Sequence, residues 1–143
     1  MHVVRDFFAF IGRLGIGIIL IAHGWQKMVD YGIGAVADGF AQMNIPLPQV
    51  SAWFAALVEL VGGALLILGF LLPLAGILIA INMAGAVLFV HLPHGLFSPE
   101  GFELPLAIGV AALALGFNGG RWSVDHGLFG RRSAPAESEP STT

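Results

Sequence analysis

Two histidines three residues apart, His91 and His94, stand where a long apolar run gives out, in the stretch Phe89-Val90-His91-Leu92-Pro93-His94. Elsewhere a lone carboxylate, Glu59, interrupts another apolar run, His23 and Lys27 close a third one turn apart, and Glu103 opens a fourth. These side chains can hydrogen-bond a carbonyl, donate or accept protons, form ion pairs, or ligate a divalent ion. The chain has no cysteine. That excludes disulfides, thiol exchange, thiolate haem ligation, and cysteine-bound zinc or iron-sulfur sites within it.

The elements that must position these groups are membrane spans. Of 143 residues, 57% are hydrophobic and only 10% charged, a composition unlike that of a soluble domain. A net charge of -3 gives no basis for nucleic-acid binding. A helix needs roughly 20 apolar residues to cross the hydrocarbon layer, and four runs approach that length, at about 7–25, 51–72, 73–92 and 102–117. The expected fold is all-α, an integral membrane four-helix bundle. Residues 1–127 form the four-span transmembrane domain, and 128–143 a cytoplasmic tail, basic at first and then disordered from Ser133. The first run lacks a small-residue cleavage pattern and is read as a retained span.

Arg5, Arg121, Arg131 and Arg132 fall on one side of this arrangement and Lys27 alone on the other. The positive-inside rule then places both termini in the cytoplasm of a bacterial inner membrane. Trp25, Trp53 and Trp122 fall near span ends as interfacial anchors. In the first outer connection Ile33, Val36, Ala37 and Phe40 recur at helical spacing before the Ile45-Pro46-Leu47-Pro48 breaker, predicting an amphipathic loop helix. Small residues let spans approach closely: Gly76, Ala80 and Ala84 on the third, Gly62 and Gly63 on the second, Ala112 and Gly116 on the fourth.

Depth then groups the polar residues. At a rise of about 1.5 Å per residue, Glu59 lies roughly 12 Å below the outer end of its span, where an ionised carboxylate facing lipid is costly. It is expected to face the interior. His23, Lys27, His91, His94 and Glu103 reach similar depths from the other helices, so one polar pocket near the outer face is expected to collect all six. Each has a plainer reading, as an interfacial side chain at the headgroups or, for Glu59, as an interhelical hydrogen-bond donor. Arg13, about 9 Å inside the cytoplasmic end of span one, is expected to snorkel to the inner headgroups, or else to reach toward Glu59.

The pattern resembles the DoxX family of small four-helix bacterial membrane proteins. The residues that carry the resemblance are His23-Gly24 and Lys27, Glu59 with Gly62-Gly63 and Leu68-Gly69, His91, and the closing Gly119-Gly120-Arg121-Trp122-Ser123-Val124-Asp125. That ending departs slightly from the family's glycine-rich, Ser-Leu-Asp-like close, while Ser123 and Asp125 keep the polar positions. The family name is attached to a subunit of an archaeal thiosulfate:quinone oxidoreductase and to a mycobacterial membrane partner of superoxide dismutase and a sulfurtransferase. The resemblance therefore implies a membrane redox subunit, with a quinone as its ligand and a partner redox enzyme as electron source.

On that reading Glu59, His91 and His23 exchange protons, while Lys27, Glu103 and His94 bind ligand. Phe89, Phe97 and Phe102 border the ring. Two other readings compete. One is a divalent-metal site of two histidines and one or two carboxylates, for which no dedicated motif is present. The other is a non-enzymatic scaffold, or a conduit for protons or small solutes that would need to assemble as a homo-oligomer in the bilayer.

Overall fold

The computed structural model describes residues 1–97 and 99–130, and these are helical, with no strand among them. Helix α1 is continuous over His2–Asp30, α2 covers Ile33–Gln42, α3 Pro48–Leu68, α4 Leu72–His94, α5 Glu103–Phe117 and α6 Val124–Phe129. Three of them, α1, α3 and α4, are long and apolar enough to cross a bilayer. The fourth bundle member, α5, has 15 residues, or roughly 22 Å of helix against a hydrocarbon layer of about 30 Å. Together they form the all-α membrane bundle expected from the apolar runs. The tail expected from Ser133, with Arg131 and Arg132 before it, lies outside the described residues.

Two local results differ from the periodicity reading. The first span does not stop near Trp25: α1 continues to Asp30, so the first connection opens only at Tyr31. Leu128 and Phe129, assigned to the tail, belong to α6.

Backbone close approach decides the helix seams. A Cβ on Gly17 would lie 2.8 Å from the Gly63 carbonyl oxygen, and one on Gly63 2.8 Å from that of Gly17, so α1 and α3 touch backbone to backbone. The α4–α5 seam repeats this, with the Ala112 carbonyl oxygen 2.7 Å from where a Gly76 Cβ would stand. Apolar side chains gain little by leaving lipid for one another, so such shape matching is what drives the association. Ala84, expected on the α4 stripe, is exposed; the buried stripe runs Leu72, Ala75, Gly76, Ile79, Met83. Leu20, Val58, Leu66, Ile79, Met83, Ile108 and Ala112 meet between the two seams.

The amphipathic expectation for the first connection is met. In α2, Ala37 is buried and Ile33, Val36 and Phe40 half-buried against the bundle, while Asp38 is exposed. Leu47 ahead of α3 and Leu71 ahead of α4 adopt left-handed φ of 49° and 50°, and a proline follows each in the first helical turn. Proline suits that turn because its missing N–H has no intrahelical partner there.

The end of the bundle that carries the N-terminus is closed by the segment after α5. Gly69, at φ +72°, ends α3, and its carbonyl accepts from the Asp125 N–H at 2.9 Å. The Asp125 carboxylate in turn accepts from the N–H groups of Leu71 at 2.9 Å and Leu72 at 2.8 Å, which α4 itself cannot satisfy. Asp6, 3% exposed, accepts from the Arg121 N–H at 3.1 Å. Ser123 caps α6 by accepting from the His126 N–H.

Under this closure lies Arg13, which is fully buried. Its Nη2 donates to the Trp122 carbonyl and its guanidinium stands 5.8 Å from the centroid of the Phe10 ring. Both expectations for Arg13 are corrected: it neither snorkels to headgroups nor approaches Glu59. The reason is local, because the returning 118–125 segment covers this depth of α1 and supplies an acceptor there that no reading of span one alone contains.

Gly69 must be glycine on two counts, its left-handed φ and a Cβ position that would run into Arg13 Nη1 and lie 2.8 Å from the Ser123 Cα. Gly69→Ala is expected to cost more than the ~1–2 kcal/mol of a left-handed residue alone. Gly39→Ala, in α2 with nothing near the added methyl, should leave stability unchanged. Asp125→Ala should cost about 1–2 kcal/mol through two lost cap acceptors. Thermal unfolding in detergent checks all three, and equal melting temperatures for the two glycine variants would refute the packing account.

Candidate functional site

Glu59 is 4% exposed and faces the bundle interior. Each of its oxygens has a partner from a different helix: Lys27 Nζ of α1 stands 2.7 Å from Oε2, and Asn82 Nδ2 of α4 donates to Oε1 at 3.3 Å. Three helices are thereby tied at one depth. Lys27 is itself only 21% exposed, so the pair has little water to screen it and is an interhelical constraint as well as a chemical group.

The helices are not regular where these residues sit. Gln26–Asp30, Val58–Gly62 and Ala86–His91 are wide π turns, as in the Tyr31 N–H bond to the Gln26 carbonyl five residues back at 2.9 Å. One turn holds Lys27, the next Glu59, the third His91. Each π turn takes an extra residue and rotates the helix beyond it, which re-aims side chains without ending the helix.

These residues line a cavity of about 490 Å³ at the end of the bundle opposite the N-terminus. His23, Lys27, Glu59, Asn82 and His91 all contribute to its wall, with Phe40, Phe54 and Phe89 as aromatic surfaces. Pro99 and buried Gly101 help close it, and the Phe102 N–H bonds the Gly95 carbonyl at 3.1 Å. The Ser51 hydroxyl donates to the Pro46 carbonyl at 2.6 Å and holds the α3 corner in place.

Both cavity histidines are oriented through Nδ1. In His23 it bonds the Ile19 carbonyl at 2.9 Å, and in His91 the Glu100 carbonyl at 2.6 Å. A carbonyl can only accept, so Nδ1 carries the proton in each ring. In the neutral ring the lone pair then sits on Nε2. Such rings accept from a hydroxyl when neutral and donate to a carbonyl when protonated.

Of the six residues grouped from sequence, four line the cavity: Glu59, Lys27, His23 and His91. His94 and Glu103 do not. His94 Nε2 stands 3.2 Å from Glu100 Oε2 at the surface, and Glu103 is exposed in the first turn of α5. Each is close in sequence to a cavity residue but sits in a terminal helical turn with its side chain at the surface. Of the expected aromatic border only Phe89 lines the cavity, and Phe97 is 80% exposed.

Sequence reasoning passes over Asn82, Phe40 and Phe54 as cavity residues. A signal exists for Asn82, the one amide in the apolar run of α4. None exists for the aromatics, which are unremarkable in a chain with eleven phenylalanines. Among the described residues no three His, Asp or Glu side chains converge as a metal site would require.

Comparison with known proteins agrees with this architecture. An uncharacterized membrane protein of Mycobacterium tuberculosis is 31% identical over 135 residues, covering 85% of this chain and 82% of that one. An uncharacterized protein of Haemophilus influenzae is 31% identical over 130 residues, covering 87% and 93%. A Bacillus subtilis protein named "Putative oxidoreductase CatD" is 31% identical over 103 residues, covering 72% and 74%. No solved structure matches significantly. The DoxX family model matches residues 8–92, a stretch that includes His23, Lys27, Glu59, Asn82 and His91. By that match and those relatives, the chain belongs to the DoxX family.

Proposed function

We propose that the chain is the membrane subunit of a redox system and that its cavity holds the ring of a quinone. The carrying observation is a polar cluster, Lys27, Glu59 and Asn82, set into an otherwise apolar, aromatic-walled cavity of about 490 Å³ inside a membrane bundle. Ligand sites combine a mostly apolar lining with a few placed polar groups in this way. Reducing a quinone takes two electrons and two protons and converts both ring carbonyls to hydroxyls. Lys27 and the two histidines can each hydrogen-bond a ring oxygen and pass on a proton taken up from solvent, while the Glu59 carboxylate holds Lys27 in place. The electrons come from a partner redox protein. The oxidoreductase name of the Bacillus subtilis relative supports the class of reaction.

The same reading sets the membrane and its sides: a bacterial plasma membrane, with both termini cytoplasmic and the cavity toward the outer leaflet. Arg5 and Arg121 at the terminal end support it. Lys27, the one basic residue assigned to the other side, is engaged within the bundle by Glu59 and adds no free loop charge.

Glu59→Gln and Lys27→Met are each expected to weaken binding of a benzoquinone with a ten-carbon tail at least about tenfold, because each removes a directed polar contact. Lys27→Met should also destabilise the fold by about 3 kcal/mol, since it leaves a buried carboxylate unpaired, and the double variant should recover most of that loss. Binding to purified full-length protein and chemical unfolding read these out. Native affinity in a well-folded Glu59→Gln protein would remove the ring from this cavity and favour a scaffold.

The cysteine-free chain makes topology directly measurable. In intact cells a membrane-impermeant maleimide should label Asn44→Cys, and should label Gly130→Cys only after lysis. The reverse pattern would invert the assigned orientation.

A further inference from the structure

The cavity wall is not uniformly buried. On α4, the lining residues Ile81, Gly85 and Phe89 are spaced by four and form one stripe along the helix. Ile81 is 55% and Phe89 45% exposed, so this part of the wall also belongs to the outer flank of the bundle. Between the two large side chains, Gly85 leaves a notch: a Cβ built there meets no atom within 4 Å. On α3, Phe54 lines the same cavity and is 39% exposed. The Glu59–Asn82 hydrogen bond holds α3 and α4 together just inside.

Depth says what this opening faces. Gly85 lies nine residues before the end of α4 at His94, roughly 13 Å along the axis, which is within the hydrocarbon layer and not at the headgroups. A notch there, rimmed by isoleucine and phenylalanine, meets acyl chains. It suits an apolar chain and excludes a hydrated solute.

We infer that the Gly85 notch is a lateral portal between α3 and α4, through which the hydrocarbon tail of a membrane-dissolved ligand passes out of the cavity into the bilayer. This rests on the quinone reading above and narrows it to ring compounds carrying a long apolar tail. The head ring sits against the polar cluster, and the tail lies between Ile81 and Phe89. Access is then from the membrane, so the connections over the cavity do not have to open for the ligand to arrive.

The test compares two probes on the full-length protein in detergent: a tritiated benzoquinone with a ten-carbon tail, measured directly, and the same ring without a tail, measured by competition. Gly85→Leu fills the notch in open space and should leave the melting temperature unchanged. It is expected to weaken the tailed probe about tenfold or more, because a tail that cannot pass the filled notch holds its ring off the polar cluster, and to leave the tail-less ring within about twofold. Ile81→Ala, which removes one jaw without filling anything, should weaken the tailed probe alone by a smaller factor.

Leu104→Trp is the control, because Leu104 is an exposed lining residue on α5, on a different side of the cavity. A tailed-probe loss in Leu104→Trp with none in Gly85→Leu would overturn the portal. Equal weakening of both probes by Gly85→Leu would overturn it too, because the notch would then serve the ring. Failure of both rings to bind the native protein would instead overturn the quinone reading, and the portal with it.

Discussion

A carboxylate cannot rest against lipid, and much of this bundle is arranged around that constraint. Glu59 stands in the middle of an apolar helix, so its charge must be met from inside the molecule. Lys27 and Asn82 meet it, one from each neighbouring helix, at 2.7 and 3.3 Å. The consequence is both structural and chemical. Three helices are fixed in register at one depth, and a polar group is held at the wall of a space that apolar and aromatic side chains otherwise define. Wide turns at Lys27, Glu59 and His91 aim those side chains inward while the helices continue.

The opposite end solves a different problem with different parts. There a buried arginine is covered by a returning segment, whose Trp122 carbonyl accepts from it and whose Asp125 caps α4. The Gly-Gly-Arg-Trp-Ser-Val-Asp stretch acts as a clasp across the α3–α4 turn, and Gly69 leaves the room it needs. Between clasp and cavity, glycines bring α1 to α3 and α4 to α5 at backbone distance. The bundle is therefore anchored at one end and hollow at the other, a division that leaves the cavity end free to hold a ligand.

Much of this architecture is legible in the residue order. Apolar runs near twenty residues, broken by single charges, specify membrane helices because nothing else satisfies the backbone in hydrocarbon. The inward orientation of Glu59 comes from the same energetics, as does the amphipathic helix with Phe40 on its half-buried face. Grouping His94 and Glu103 with the cavity fails because depth along a span says nothing about which face of its terminal turn a side chain occupies. The burial of Arg13 is illegible for another reason: its acceptor, Trp122, is 109 positions away in the chain.

What the sequence by itself determined is that Glu59 must be hidden, on a helix that has no option but to span, with Lys27, His23 and His91 at similar depth on its neighbours. Burial energies do that, since they depend on residue type and on position within an apolar run. What only the tertiary structure decided is the pairing. Lys27 meets Glu59 and Arg13 meets the Trp122 carbonyl because helix rotation, set by glycine seams and π turns, selects which faces look at each other. A single extra residue in a turn changes that rotation and leaves hydrophobic periodicity nearly untouched.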